Sequence, residues 1–368
     1  MKYEELKLSE LVDTISDTRK IDKDKVILVN TSDVLAGDVL NHTYTDNCKL
    51  RGQFKKRFKQ NDILYSEIRP ANKRFAYVDF DSEDYIASTK LMVLRRKSDK
   101  ITNRYLYYCL TSDSFIERMQ HLAESRSGTF PQITFDVLKA ESIYLPSVDN
   151  QNKITNILDS INDKVKINNE INNNLYEQAV AIYKDTFSGI ENGDKTIGEY
   201  ITPKRGKNLL TREALDGDIP VVAGGLEPSA YHNQFNTNYP VITISASGAN
   251  AGYTNLWNIP VWASDCSYID DSITKNVYFW YIVLKTRQKE IYDSQTGSAQ
   301  PHIYPQHIAE MPIDELNIDD VKNFNKLVEP LFRMIGENKK ENSKLSELRD
   351  TLLPKLMNGE IDLDNIEI

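Results

Sequence analysis

The chain has 368 residues, of which 40% are hydrophobic and 27% charged, and its net charge is −9. This length and composition suit two or three folded domains with sizeable cores, while the acidic total excludes nucleic-acid binding driven by bulk charge alone. No apolar run reaches the ~18 residues of a membrane span, Met1 to Leu6 carries no signal-peptide core, and Cys48, Cys109 and Cys266 lie far apart; a reducing cytoplasm with no membrane association is expected, and a metal site is not.

The net charge hides a gradient. Residues 1–149 carry 24 basic and 23 acidic side chains, whereas residues 188–317 carry 9 and 15. Lys49 to Arg74 holds nine basic residues against Asp62 and Glu67. Such a patch can neutralise phosphates even in an acidic protein.

The first globular segment, 1–149, mixes strands and helices. Val26–Val29, Asp62–Ser66, Arg74–Val78 and Leu91–Leu94 read as strands, because short apolar runs bounded by turn residues are the mark of buried strands. Asn103–Leu110 and Ser112–Ala123 read as helices, Ser125–Ile133 as a loop and Ile143–Pro146 as a short strand.

A long helix over 150–187 follows, with apolar residues at 154, 157, 158, 161, 165, 171, 175, 179 and 182. That is a stripe at helical spacing. Its middle, Asn168-Asn169-Glu170-Ile171-Asn172-Asn173-Asn174, is a poor helix former. Linker residues Ser188–Asp194 open a second globular segment, 188–317. Here Val241–Ile244, Pro260–Ala263 and Ser267–Ile269 read as strands and Val277–Thr286 as a helix. A second long helix spans 318–357, interrupted or kinked at Pro330 and perturbed near its end by Pro354, and a tail occupies 358–368.

The two long helices are copies. A shift of 170 places Ile154 on Phe324, Ile157 on Leu327, Leu158 on Val328, Ile161 on Leu331, Leu175 on Leu345 and Ile182 on Leu352. It also places Asn168 on Asn338. The candidates for helix pairing and partner docking are therefore Ile154, Ile157, Ile161, Asn168, Leu175, Ile182, Leu327, Leu331, Asn338, Leu345 and Leu352. A polar residue on such a seam can fix register; alternatively these asparagines are simply solvated. The loop before each long helix is also repeated: Gly128 matches Gly297 and Ile133 matches Ile303.

Catalytic machinery is missing from the sequence. There is no GxxxxGKS/T or GxGxxG phosphate loop, no HExxH, no GxSxG and no Asn/Asp-Pro-Pro-Tyr run. DNA-binding residue types are present. Lys49, Arg51, Lys55, Lys56, Arg57 and Lys59 are phosphate candidates, set against a solvated charged loop. Arg69, Asn72, Lys73 and Arg74 occupy a turn, where Arg can bridge guanine O6/N7 and Asn adenine N6/N7. In the second globule Lys204, Arg205 and Lys207 are phosphate candidates, and Ser245, Ser247, Asn250, Tyr253 and Asn255 are candidates for reading base edges. Gln132, Gln300 and His302 lie in the repeated loop, whose repetition equally fits a role in the fold.

Together these features resemble the specificity subunit of type I restriction–modification systems. Its clearest motif is Leu348-Arg349-Asp350-Thr351-Leu352-Leu353-Pro354-Lys355-Leu356-Met357-Asn358-Gly359-Glu360-Ile361, similar to the family's second helical region and tail. Gly297 to Ile303, and Pro240–Ile244 with the later Pro260–Ala263, resemble parts of a target-recognition domain.

The resemblance implies an α+β fold: two mixed α/β target-recognition domains separated by two long antiparallel helices, a coiled coil with an internal pseudo-twofold repeat. The tail would pack towards the N-terminal domain. The chain would be non-catalytic, and would give a phage-defence complex its double-stranded DNA specificity, one domain per half-site of a bipartite sequence. Two modification (methyltransferase) subunits would dock on the helices, and two restriction (motor–nuclease) subunits would join through them. S-adenosylmethionine, ATP and Mg²⁺ would sit on those partners, with no cofactor in this chain. A helix of about 30 residues is roughly 45 Å long, enough to space two readers by about one DNA turn, ~34 Å. The competing readings are a coiled-coil protein–protein adaptor without DNA binding, and a self-sufficient nuclease or methyltransferase.

Overall fold

The computed structural model describes residues 3–48, 50, 52–126, 130–297, 300–361 and 363. The chain forms two compact units, one made of residues 1–163 and 345–368 and the other of residues 164–344. The architecture is α+β, with long helices at Val148–Thr186 and Ile318–Met357 that each contribute to both units.

In the first unit one four-stranded antiparallel sheet has the order Val12–Ile15, Leu91–Arg96, Ile63–Ser66, Phe75–Tyr77. Its strands Leu91–Arg96, Ile63–Ser66 and Phe75–Tyr77 read as largely apolar runs because both faces are buried, whereas the edge strand Val12–Ile15 has exposed Asp13 and Thr14. Successive side chains on a strand point to opposite faces. Ile63, Tyr65, Phe75, Tyr77, Met92 and Leu94 accordingly join the core formed with helices Asn103–Thr111 and Asp113–Arg126. Leu64, Ala76, Leu91 and Val93 enter a separate core with Ile27, Val29 and Ala87 of a second sheet. That sheet has the order Tyr44–Asp46, Lys25–Val29, Tyr85–Ser88, Phe54–Lys56, and its middle pair is parallel. The segment Phe54–Lys56, inside the basic run, is thus a strand.

Ile154 and Leu158 of the first long helix and Leu356 of the second join the first unit's core, as does Leu363. Lys153 Nζ donates to the Leu363 carbonyl at 3.0 Å, and Tyr3 Oη donates to the Leu356 carbonyl at 3.0 Å. Glu4–Lys7 pairs antiparallel with Ser142–Leu145, the strand just before the first long helix.

The second unit repeats this plan. Val241–Ser245 is the inner strand of the order Lys204–Arg205, Cys266–Asp270, Val241–Ser245, Thr254–Trp257. Ile242 and Ile244 face a core shared with the apolar helix Val277–Thr286 and with Phe324, Val328 and Phe332 of the second long helix. Val241 faces a smaller core with Val222, Val261 and Ala263. Lys195–Thr196 pairs with Pro312–Ile313 just before the second long helix. The positions Ile154, Leu158 and Phe324, Val328, related by the shift of 170, therefore play the same packing role in their respective units.

The second long helix runs through Pro330 and Pro354 without a break, so of the two outcomes open at Pro330, an interruption or a tolerated proline with a kink, the interruption does not occur. Proline there removes only one amide donor, and neighbouring Val328 and Phe332 are anchored in the core. The helix ends as Gly359 takes a left-handed φ of 80°, the conformation in which glycine best terminates helices. Among the described residues no helix is long and apolar enough to cross a membrane.

The seam asparagines Asn168 and Asn338 are not simply solvated: Asn168 is buried and Asn338 half-buried, while Asn169, Asn173 and Asn174 are exposed. Asn168 is 1% exposed and Asn172 8%. Asn168 Nδ2 donates to Asn342 Oδ1 at 2.8 Å and to Glu341 Oε2 at 2.7 Å. Asn338 Nδ2 donates to Asn172 Oδ1 at 2.9 Å, and Asn342 Nδ2 to Asn169 Oδ1 at 2.9 Å. As residue numbers rise on one helix they fall on the other, so the pairing is antiparallel. The shift of 170 converts the pair Asn168–Asn342 into Asn338–Asn172, so one contact occurs twice. Asn168 Oδ1 is buried without a partner, but the amide donors find acceptors across the seam in this alignment, and losing them on a register slip would be penalised.

Elsewhere on the stripe, Ile161 is buried, and Leu175, Ile182 and Leu331 pack at the edge of the second core. Ile157 and Leu352 do so at the edge of the first, while Leu345 is half-buried. Leu327 departs from its repeat partner Ile157: it is 60% exposed, on the outer side of the helix.

Candidate nucleic-acid interface

Each globule builds its candidate surface on a turn leaving an inner strand, braced by the repeated loop. In the first unit, strand Ile63–Ser66 leads into Glu67-Ile68-Arg69. The Ile133 amide donates to the Glu67 carbonyl at 2.9 Å, and the Arg69 amide to the Pro131 carbonyl at 3.1 Å. In the second unit, strand Val241–Ser245 leads into Ala246-Ser247-Gly248. The Ile303 amide donates to the Ala246 carbonyl at 3.0 Å, and the Gly248 amide to the Pro301 carbonyl at 3.1 Å. Pro131 and Ile133 map onto Pro301 and Ile303 by the same shift of 170. The loop repetition is thus a backbone brace, and it places Gln132 opposite Ile68 and His302 opposite Ser247. Gln300 is exposed, and the His302 ring stacks on Tyr304 with centroids 6.0 Å apart.

The basic stretch of the first unit divides. Lys49 and Arg51 lie outside the described residues. Lys55 and Lys59 are exposed and Arg57 half-buried; the Arg57 amide bonds the Asp17 carbonyl at 2.8 Å, and hydrogen bonds from Arg19, with a small addition from the Arg57 charge, hold the Asp17 carboxyl well below the usual carboxylate range. Lys56 is turned inward. Its Nζ donates to the Thr89 and Leu91 carbonyls at 3.0 and 2.8 Å, and burial lowers its pKa. In the turn, Lys73 Nζ pairs with Asp113 at 2.7 Å, and Arg74 donates to the Ser32 and Val34 carbonyls at 3.0 and 3.3 Å. Asn72 is exposed and its amide bonds the Arg69 carbonyl at 2.9 Å. Arg69 is exposed, and among the described residues its guanidinium has no hydrogen-bond, ion-pair or ring partner.

In the second unit Lys204 and Arg205 form an edge strand beside Tyr268 and Ser267. Lys204 Nζ reaches Ser272 Oγ at 3.3 Å, and Arg205 pairs with Asp265 at 2.6 Å. Lys207 Nζ stands 5.9 Å from the Trp262 ring centre. Ser245, Tyr253 and Asn255 come together with Gly225, Leu226 and Trp257 around one shallow cleft. Ser245 Oγ donates to the Gly224 carbonyl at 3.1 Å, and Ser247 Oγ donates to Asp265. The Lys285 ammonium sits 4.4 Å from the Tyr253 ring centre. Asn250 lies on the turn whose Asn250 carbonyl accepts from the Tyr253 amide at 2.9 Å, and Asn255 Oδ1 accepts from the Leu256 amide.

Sequence reasoning did not find Asp265, Trp257 or the latch that ties the first globule to its helices. Arg104 pairs with Asp159 of the first long helix, and its guanidinium lies 4.5 Å from the Tyr77 ring centre. Tyr108 Oη donates to Asp159 at 2.5 Å, Asn162 donates to Tyr108 Oη at 3.0 Å, and Arg349 donates to Asn162 at 3.3 Å. No local motif signals this chain of contacts. The partners of Asn168 and Asn338 did carry a signal, because the shift of 170 also relates Asn172 to Asn342.

Residues 1–177 match the family described as "Type I restriction modification DNA specificity domain". The HindI type I restriction enzyme specificity subunit of Haemophilus influenzae is 28% identical over 434 aligned positions, covering 91% of this chain and 94% of that one. The MjaIX type I restriction enzyme specificity subunit of Methanocaldococcus jannaschii is 25% identical, covering 73% of this chain and 71% of that one. The crystal structure of a type I restriction–modification S subunit from M. genitalium shares the fold, with a TM-score of 0.56 at 20% identity, covering 97% of this chain and 96% of that one.

Proposed function

The chain belongs to the family of type I restriction–modification specificity subunits, the non-catalytic members of those systems, and from that premise we propose that it reads a bipartite double-stranded DNA site, one globule per half-site. The observation that carries this reading is the pair of matching braced turns. Both are held by the same brace, yet the residues differ: Glu67-Ile68-Arg69 in one and the buried Ala246, with Ser247 and Gly248, in the other. A common frame with unlike side chains suits two half-sites of unlike sequence. Lys55, Arg57 and Lys59 in the first globule, and Lys204 and Lys207 in the second, would neutralise phosphates, which sets affinity and salt dependence but not sequence. Tyr253 and Asn255, at the cleft whose floor is the buried Ser245, would face base edges in the second half-site.

Two modification subunits would dock on the long helices, where Ile167, Ile171, Leu327, Met334 and Leu348 leave apolar surface exposed. Restriction subunits would join through them. S-adenosylmethionine, ATP and Mg²⁺ are assigned to these partners.

Exchange of residues 188–317 for the corresponding segment of another family member, with the cognate modification subunit present, should change one half of the methylated motif and leave the other intact. A change in both halves would overturn the one-globule-per-half-site reading. Tight partner binding with no DNA footprint at any salt concentration would favour the protein–protein adaptor instead.

A further inference from the structure

The two braced turns differ at one point that backbone physics makes informative. Gly248 takes φ 82°, a left-handed conformation open to glycine at no steric cost. At the equivalent brace position of the first globule stands Arg69, with φ 45° and ψ 76°. A side-chain-bearing residue in this region is strained. Arg69 also precedes Pro70, and the proline ring further restricts the residue before it to extended backbone. Glycine would relieve most of this strain, and the second globule uses glycine. Strain of this kind persists where the surroundings enforce it and clusters at functional sites.

The surroundings do enforce it. The Arg69 amide is held by Pro131 at 3.1 Å and its carbonyl by the Asn72 amide at 2.9 Å. Pro70 is buried, and the Ala71 amide is held by Gln120 Oε1 at 3.1 Å. The backbone is fixed while the guanidinium is exposed and unpaired among the described residues. The neighbouring cations are committed elsewhere: Lys73 to Asp113, Arg74 to the Ser32 and Val34 carbonyls, and Lys90 to Glu67 at 3.7 Å. Neutralising a phosphate does not require a rigid base, since a flexible cation on relaxed backbone suffices. Reading a base edge does require one, because a planar fork must meet two acceptors at once.

We propose that Arg69 is a specificity-determining residue of the first globule, reading the O6 and N7 acceptors of a guanine in its half-site. This rests on the reading of the chain as a DNA-specificity subunit. The full chain would be combined with its modification subunit, and methylation mapped genome-wide for the unsubstituted chain, Arg69→Gly and Arg69→Lys.

Arg69→Gly should fold with an unchanged or higher Tm. It should lower methylation of the original site by tenfold or more and relax the motif at one position of one half-site, leaving the other half-site intact. Arg69→Lys keeps the charge but loses the fork, and should relax the same position. Three results would overturn the assignment. One is an unaltered motif and rate in Arg69→Gly. Another is a loss spread evenly over all sequences and restored by Arg69→Lys, which would make Arg69 a phosphate anchor. The third is a lower Tm in Arg69→Gly, which would place the residue in the fold. If the unsubstituted chain itself confers no motif, the specificity-subunit reading fails first and carries this assignment with it.

Discussion

Gly336, within the second long helix, tests whether that helix and its globule are fitted together in atomic detail. Alanine in place of glycine inside a helix ordinarily stabilises by about 1 kcal/mol. Here the new Cβ would lie 2.6 Å from Asn258 Cβ, 2.7 Å from its Nδ2 and 2.9 Å from its Cγ. Asn258 cannot yield freely. Its Nδ2 donates to the Phe332 carbonyl at 2.9 Å, its Oδ1 accepts from Tyr278 Oη, and the Tyr278 ring stacks on Phe332 with centroids 5.0 Å apart. Overpacking costs about 1–3 kcal/mol, and the displaced amide forfeits about 1 kcal/mol of hydrogen bonding. The clash therefore exceeds the helix-propensity gain, and Gly336→Ala should destabilise by about 1–3 kcal/mol. Urea unfolding should show a lower midpoint with an unchanged slope. In an Asn258→Gly background the obstructing atoms are absent, and Gly336→Ala should instead stabilise by about 1 kcal/mol. A single variant as stable as the parent, or a pair showing no reversal of sign, would refute the close fit.

Asn168→Ala should lower stability by about 1–3 kcal/mol, read from thermal unfolding, because Asn342 and Glu341 both lose their donor; an unchanged Tm would mean that the asparagine contacts contribute nothing. Asp159→Ala should cost about 1–3 kcal/mol and expose the Arg104 latch to proteolysis or hydrogen exchange at Asn103–Thr111 before the second unit responds, and simultaneous loss of protection in both units would contradict a local latch. The Asn168 amide, joined by Lys164, holds the Glu341 carboxyl below its ordinary pKa. Its contribution is therefore complete above the unfolded value of about 4.3 and is lost as pH falls through the lower folded value. Glu341→Gln should flatten the acid-side fall of Tm below about pH 4, and an identical slope would show that the contact is unimportant.

The long helices were legible because their repeat carries a 3.6-residue stripe over many turns, and the inner strands because both their faces are buried. Short elements were not. Lys204–Arg205 and Phe54–Lys56 are strands made largely of basic residues, and only their partners Cys266–Asp270 and Tyr85–Ser88 give them that conformation. The asparagine-rich stretch illustrates tertiary context overriding propensity. Intrinsic preferences predict a weak helix middle, but amides paired across a buried seam stabilise it. At the candidate interface, the sequence supplies the cations but not their commitments. Lys56, Lys73 and Arg74 look alike in a basic run. Only the fold distinguishes them from Arg69, because carbonyls and carboxylates distant in sequence hold the first three. The strain at Arg69 was equally invisible, since φ is set by the brace from Pro131.

We propose that this chain gives a partner methyltransferase its DNA sequence. The most direct test is the methylome of a methylation-free host expressing the chain together with its cognate modification subunit, compared with the modification subunit alone. One bipartite motif with a fixed gap, present only when both proteins are expressed, is the expected result. Methylation that is scattered, absent, or identical without this chain would contradict it.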